Sequence, residues 1–307
     1  MGQIDENKVA QFATSYSSTH DLSVEEVTEI LSNAKYKQDI IDKMERPAEG
    51  TMTWERYRNI FLKEDRIKAG VDFWETNRET LNAVSAESGV PVEVILGIIG
   101  VETFYGQRIG SYRVLDALYT LAFGYPKRSS FFKAELANFL ELIDHEHLDI
   151  YSIKGSYAGA IGFCQFMPSS YQAYAKSFDD DQSVNLMEVN DAIASVANYL
   201  AEHRWDEGAP ITVEVKDMIN PQPVISKYAK PKNTLRYYSD NGYVPSGNIS
   251  PEMKAALLEF ENEDSKEYWF GFWNFYVITR YNHSPMYALA VYQLGQEVKK
   301  MYDQKNP

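Results

Sequence analysis

Apolar residues recur at helical spacing along most of this chain. Ser23-Val24-Glu25-Glu26 has the form of a capping box and predicts a helix through about Asn33. After a break at Arg46-Pro47-Ala48-Glu49-Gly50, Trp54–Phe61 opens a second helical stretch. Arg66–Ser88 continues it, with Ile67, Val71, Trp74, Leu81 and Val84 roughly in phase. Leu136, Phe139, Leu140 and Ile143 mark a later helix, and Ile193, Val196, Ala197 and Leu200 another. A last helix runs from Pro285 to about Tyr302, with Tyr287, Leu289, Ala290, Tyr292 and Leu294 as its apolar content. The texture changes at Glu207-Gly208-Ala209-Pro210. Ile211-Thr212-Val213-Glu214-Val215 alternates as a strand should, and the chain to about 270 is rich in Pro, Asn, Tyr and Gly. That stretch predicts a small insert with strands and a helix near Pro251–Phe260. The expected fold is mainly α (α+β), in three parts. These are a helical N-terminal domain over 1–83 that 271–307 rejoins, a helical core over 84–207, and a small β-containing domain over 208–270.

One charged residue interrupts the longest apolar run. If Val92 to Tyr105 is a helix, Glu102 shares the face of Ile95, Ile98 and Ile99, which packs inward. Burying an ionised carboxylate is costly, so such a group tends to keep its proton towards neutral pH. A protonated acid in a cleft is what cleavage of a glycosidic bond requires. A helix-end Glu paired with an Arg or a backbone amide explains residue 102 equally well when it is taken alone.

Composition narrows the classes. The net charge is −14, against the basic stripe that a nucleic-acid binder needs and against docking on anionic lipid. Aromatic residues make up 14%, with 22 Tyr, which permits sugar stacking and equally well fills a core. Cys164 is the single cysteine, so no intrachain disulfide forms. No apolar run reaches the length of a membrane span. Met1–Lys8 is polar and lacks the apolar centre of an export signal, which leaves a cytoplasmic protein or a trimmed mature chain.

Five strings, in order, carry a resemblance. They are Gly100-Val101-Glu102-Thr103, Gly155-Ser156-Tyr157-Ala158-Gly159-Ala160, Gln165-Phe166-Met167-Pro168-Ser169-Ser170-Tyr171, Ala197-Asn198-Tyr199 and Thr279-Arg280-Tyr281-Asn282-His283-Ser284. Together they resemble the family B lytic murein transglycosylases, the membrane-bound lytic transglycosylase B type, from about Trp54 to Val291 and most weakly over 208–265. The resemblance implies a lysozyme-like catalytic core over 84–207 and a lyase reaction on peptidoglycan. The β-1,4 bond from N-acetylmuramic acid to N-acetylglucosamine is cut, and a 1,6-anhydro ring forms on the muramic acid. It implies a single Glu that is acid and then base, at Glu102, with the sugar's N-acetyl group replacing a second carboxylate. It further implies that Ser156 orients Glu102 or the acetamido group, and that Gln165 and Phe166 line the cleft. Tyr199, Tyr281, Asn282 and Tyr287 would surround the cleaved bond, Tyr57 would reach the site from the first domain, and Lys127 and Arg128 would meet stem-peptide carboxylates. No cofactor is implied for the chemistry. The implied partners are glycan strands and other cell-wall enzymes, and the implied setting is a periplasmic monomer, either soluble there or anchored at the outer membrane through a lipidated N-terminal segment.

Several of these residues have plainer readings. Ser156 reads also as a turn-bonding hydroxyl, Gln165 as a partner for a loop carbonyl, Tyr199 and Tyr287 as core or rim, and Lys127 and Arg128 as a solvated pair. Cys164 stands where the family usually has a small residue, and no histidine partner marks it as a nucleophile. His145, His147, His203 and His283 have no metal-ligand spacing. Ser177–Glu188 resembles a calcium loop, with Asp179, Asp181, the Ser183 carbonyl and Glu188 at ligand positions; Asp191 follows as the acid that some family members use. Ser177 at the first position and Gln182 in place of glycine depart from the pattern, so a structural calcium stands beside a loop held by its own hydrogen bonds. Two rival functions remain. A hydrolytic muramidase needs a second carboxylate roughly 5–9.5 Å from the first, and nothing marks Asp116 or Glu141 for that role. A non-catalytic glycan-binding scaffold would keep the cleft and lose the chemistry.

Overall fold

The computed structural model describes residues 4–46, 52–146, 149–179 and 183–306. The first helices are α1 (Glu6–Ser17), α2 (Val24–Ser32), α3 (Gln38–Glu45), α4 (Trp54–Phe61), α5 (Glu64–Thr76), α6 (Arg78–Ser88) and α7 (Val92–Thr103). Next come β1 (Tyr112–Arg113), α8 (Val114–Gly124), a 3-10 turn at Pro126–Arg128, α9 (Ser129–Glu146), β2 (Lys154–Gly155), α10 (Pro168–Tyr174) and α11 (Val189–Glu202). The insert supplies β3 (Thr212–Met218), β4 (Asn233–Thr234), α12 (Leu235–Asp240), β5 (Tyr243–Pro245), β6 (Lys254–Glu261) and β7 (Lys266–Gly271), and α13 (Trp273–Tyr281) and α14 (Pro285–Lys305) close the chain. The fold is mainly α with a small β insert, as the periodicity predicts. Of the break expected at Arg46–Gly50, residues 47–50 lie outside the described residues. Grouped by contacts, the chain forms two units, Met1–Ala48 with Gly106–Ser195 and Glu49–Tyr105 with Val196–Pro307.

In the first unit the expected capping box opens α2: the Ser23 hydroxyl accepts the Glu26 amide at 3.2 Å and the Glu26 carboxylate accepts the Ser23 amide at 2.8 Å. The core lies along α8 and α9, where Leu115, Leu118, Leu121, Leu136, Phe139 and Leu140 are buried. Antiparallel β1 and β2 pair Tyr112 with Gly155 and Arg113 with Lys154.

In the second unit the helical stretch expected from Arg66 to Ser88 is two helices. Asn77 ends α5, and its side-chain amide donates to the Phe73 carbonyl at 2.9 Å. α7 is buried almost all round, with Ile95, Leu96, Ile98 and Ile99 fully covered. Each such side chain contributes about 1.5–3 kcal/mol by leaving water. The insert's sheet is antiparallel, in the order β4-β6-β7-β3-β5. The helix expected near Pro251–Phe260 is instead strand β6, and the insert's helix comes earlier, at α12. Ala255 to Leu258 are buried at four successive positions because both faces of β6 are covered. Ala255 and Leu257 join the core with Tyr238 and Phe270, while Phe260, on the other face, meets the Trp54 ring at 5.3 Å. A short continuous apolar run does not distinguish a strand covered on both sides from a buried helix.

Candidate active site

Glu102 sits in the last turn of α7 and is half-buried. Its Oε1 accepts a hydrogen bond of 2.6 Å from the hydroxyl of Tyr287, in the first turn of α14. Ser284 caps that turn by accepting the Tyr287 amide at 3.4 Å, and Pro285 occupies its first position. Tyr287 is 2% exposed, and burial, then the charge of Glu102, hold its pKa well above the ordinary tyrosine value. It therefore stays a neutral donor throughout the physiological range.

The register between the two helices comes from glycine. A Cβ at Gly97 of α7 would lie 2.3 Å from the Val291 carbonyl oxygen of α14, and one at Gly295 of α14 would lie 2.2 Å from the Glu93 carbonyl oxygen of α7. Each helix presses a bare glycine onto the other's backbone, and the antiparallel pairing this enforces brings residue 287 to residue 102. The end of α7 is fixed as well. The helix stops at Thr103, two residues short of the expected boundary, because Phe104 and Tyr105 take left-handed conformations with φ of 53° and 56°. Their amides reach back to the carbonyls of Gly100 (3.2 Å) and Ile99 (3.4 Å), a stop that usually calls for glycine. The Tyr105 hydroxyl lies where side chains at Gly70 and Gly100 would be, at 2.4 Å and 2.6 Å from their would-be Cβ atoms. The buried Arg66 guanidinium lies 4.7 Å from the centre of the Phe104 ring and 5.0 Å from that of Phe61.

Aromatic residues surround the Glu102–Tyr287 pair. Tyr281 stacks on Tyr287 with ring centres 6.4 Å apart and meets Tyr199 edge-on at 4.8 Å. Tyr199 donates to the Arg280 carbonyl at 2.6 Å and stacks on His203 at 4.2 Å. Tyr281 and Tyr57 lie close enough to Tyr287 that their charges would further oppose its ionisation. Asn282 ends α13, and its carbonyl accepts the Ser284 amide at 2.8 Å, setting the turn into α14. The second unit thus brings together Glu102, Tyr57, Tyr199, Tyr281 and Tyr287.

Tyr57 is buried on α4, and sequence reasoning overlooked what holds that helix. Glu267 of β7 accepts from the indoles of Trp54 (3.2 Å) and Trp269 (3.3 Å), from the Arg58 guanidinium (3.4 Å) and from the Asn262 amide (3.0 Å). Trp54 and Arg58 flank Tyr57. Glu267→Ala strands these donors and is expected to destabilise the protein by about 2 kcal/mol, read by chemical denaturation. No spacing in the sequence announces Glu267. The alternating strand around it was the available signal.

The remaining expected residues belong to the first unit. The Ser156 hydroxyl accepts the amides of Ala158 (3.2 Å) and Ala160 (3.1 Å), which leaves its own proton to donate. Gln165, at φ 52°, spends its side-chain amide on the carbonyls of Ile109 (3.1 Å) and Gly162 (3.0 Å) and keeps its Oε1 as an acceptor. Phe166 is buried. Lys127 and Arg128 are exposed on the 3-10 turn, with Arg128 over the Phe131 ring at 4.3 Å. Of the two carboxylates weighed for a hydrolase, Asp116 is buried against Arg113, and Glu141 accepts from Gln172 at 3.1 Å. Cys164 is buried.

In the calcium-like loop, buried Asp191 gives one carboxylate oxygen to the Phe178 amide (3.0 Å) and the other to the Asn185 amide (2.8 Å). The Asp179 carboxylate accepts from the Ser177 hydroxyl at 3.2 Å, and Ser183 and Glu188 are exposed. Asp181 lies outside the described residues, and among those described no three His, Cys, Asp or Glu side chains converge as a metal cage. Asp191→Ala is expected to cost about 2 kcal/mol through the loss of two charge-assisted bonds, read by chemical denaturation. Thermal melts with and without millimolar calcium test the loop as a calcium site: a rise in Tm supports it and no shift removes it.

Comparison with known proteins places these features in a wider setting. Residues 5–296 match the model of the transglycosylase SLT domain. The chain is 41% identical over 298 residues to the membrane-bound lytic murein transglycosylase B of Escherichia coli K12, covering 94% of this chain and 81% of that protein. The crystal structure of the soluble lytic transglycosylase SltB1 from Pseudomonas aeruginosa superposes with a TM-score of 0.90 at 41% identity, over 96% of this chain and 99% of the other. The Escherichia coli lytic transglycosylase Slt35, in complex with calcium, gives 0.88 at 39% identity, over 96% and 93%. No described helix is by itself long and apolar enough to cross a membrane.

Proposed function

Because the chain belongs to the transglycosylase SLT family, a family of enzymes with a lysozyme-like core that act as lyases on peptidoglycan, we propose that Glu102 alone supplies the proton transfers of the reaction. The observation that carries this reading is the hydrogen bond from Tyr287 to Oε1 of Glu102. That bond holds the Glu102 carboxyl group in one orientation.

In the first step Glu102 donates that proton to the glycosidic oxygen as the bond to the muramic acid breaks. The N-acetyl oxygen of the muramic acid closes on the anomeric carbon, and the N-acetylglucosamine end departs with a free 4-hydroxyl. In the second step the carboxylate of Glu102 removes the proton from the muramyl 6-hydroxyl. That oxygen displaces the N-acetyl oxygen, and the 1,6-anhydro ring closes. No water is consumed and Glu102 regains its proton. Tyr287 supports the second half most, since its donated hydrogen bond strengthens when Glu102 is ionised. Tyr57, Tyr199, Tyr281 and Asn282 hold the sugars. Ser156, Gln165 and Phe166 serve the acetamido and cleft contacts, and Lys127 and Arg128 receive stem-peptide carboxylates. Residues 84–207 are the catalytic core in this proposal, with 1–83 and 271–307 as the helical flank and 208–270 as the β insert. The enzyme works as a monomer on glycan strands in the periplasm, anchored at the outer membrane and alongside other cell-wall enzymes. No cofactor enters the chemistry.

Mass spectrometry of digested sacculi tests the product. Anhydromuramic ends support the mechanism, and reducing muramic ends replace it with hydrolysis. Tyr287→Phe is expected to lower kcat about tenfold to a hundredfold with little change in KM, because the lost bond matters most when Glu102 is charged.

A further inference from the structure

A cavity of about 610 Å³ in the first unit is lined by none of the residues placed around Glu102. Five charged side chains border it: Lys37, Asp39, Arg113, Asp116 and Lys154. Both acids are already committed. Asp116 accepts from Arg113 Nε at 3.0 Å and from the Lys35 amide at 2.8 Å. Asp39 accepts from the Tyr112 hydroxyl and lies 3.7 Å from the Lys43 ammonium. Lys37 and Lys154 form no direct ion pair among the described residues, and the lining holds three basic side chains against two acids in a chain whose net charge is −14.

The β1–β2 ladder sets Lys154 directly opposite Arg113. Arg113 is held on buried Asp116, so Lys154 is the charge on that ladder that remains open to an anion. The site is also held in place. The Lys37 amide donates to the Thr120 hydroxyl at 3.0 Å, and its neighbour Lys35 is tied to Asp116. Tyr151, 41% exposed, adds an aromatic face to the wall. The volume exceeds what a lone inorganic ion fills, and the aromatic wall suits an organic chain that ends in an acid.

We propose that this cavity binds a free carboxylate of a peptidoglycan stem peptide through Lys37 and Lys154. The assignment rests on the peptidoglycan reading above. Isothermal titration of the full chain with a synthetic stem pentapeptide, its carboxamide counterpart and inorganic phosphate tests it. The free acid is expected to bind, the carboxamide to bind at least about tenfold more weakly, and Lys37→Gln/Lys154→Gln to lose about tenfold in affinity for the free acid. The double variant should cleave peptide-free glycan strands at the wild-type rate while its KM on peptide-bearing strands rises. Equal binding of acid and carboxamide, or undiminished affinity in the double variant, overturns the site. Phosphate binding as tightly as the peptide overturns the carboxylate assignment. Wild-type cleavage of peptide-free strands without any peptide binding removes this site and leaves the role of Glu102 standing.

Discussion

Glu102→Gln is expected to slow digestion of purified sacculi by about a thousandfold or more, with folding and glycan binding intact. Positioned proton transfer is worth roughly 10²–10⁴-fold, and here one side chain serves both steps. Glutamine has nearly the same shape, and its carbonyl oxygen can still accept from Tyr287 where Oε1 now accepts at 2.6 Å. What it cannot do is give up a proton to a leaving sugar or take one from an alcohol. The measurement is threefold: the melting temperature, the affinity for a chitooligosaccharide, and the rate of muropeptide release. A variant that binds, melts as wild type does and still cuts at the wild-type rate would remove Glu102 from the chemistry. A wild-type protein that binds sacculi but never cuts them would favour the scaffold reading instead.

Gly97→Ala is expected to destabilise this protein strongly, although it adds a single methyl group. Alanine is the better helix former by about 1 kcal/mol, so on an open surface the change would stabilise. At this position the new carbon would stand 2.3 Å from the Val291 carbonyl oxygen, which is backbone and has no rotamer to change. The helices must separate, at a cost of about 3 kcal/mol, which lowers Tm by roughly 5–10 °C. Gly295→Ala meets the Glu93 carbonyl oxygen at 2.2 Å and should behave alike. Separation also lengthens the bond between Tyr287 and Glu102, so activity should fall further than stability accounts for at a temperature where both proteins are folded. Calorimetry with activity assays below the transition separates the two effects. An unchanged Tm would show that the two backbones do not touch.

The same contrast between open and occupied space explains what could be read in the sequence. The capping box at Ser23, the helices of the core and the carboxylate in the apolar run were legible because each depends on residues close together in the chain. Strand β6 was not. Ala255-Ala256-Leu257-Leu258 has the same run of apolar residues whether it is wrapped as a helix or covered on both faces of a sheet. The end of α7 was hidden for another reason. Phe104 and Tyr105 are residue types that seldom adopt positive φ, and the hollow that gives the Tyr105 ring a place is left by Gly100 together with Gly70, which is distant in sequence. At the site, Glu102 could be found from its position in the apolar run. The Glu267 hub and the double amide bond to Asp191 depend on pairings that no periodicity encodes.

The left-handed pair has a dynamic consequence. The closing turn of a helix ordinarily frays, opening and reclosing far faster than the rest of the molecule. In α7 that turn is latched by two reverse-running amides and by a phenol wedged beneath it. The Phe104 and Tyr105 amides should therefore exchange with deuterium as slowly as those of a helix centre. A carboxylate mounted there spends its time in one place, where on an unlatched helix end it would wander.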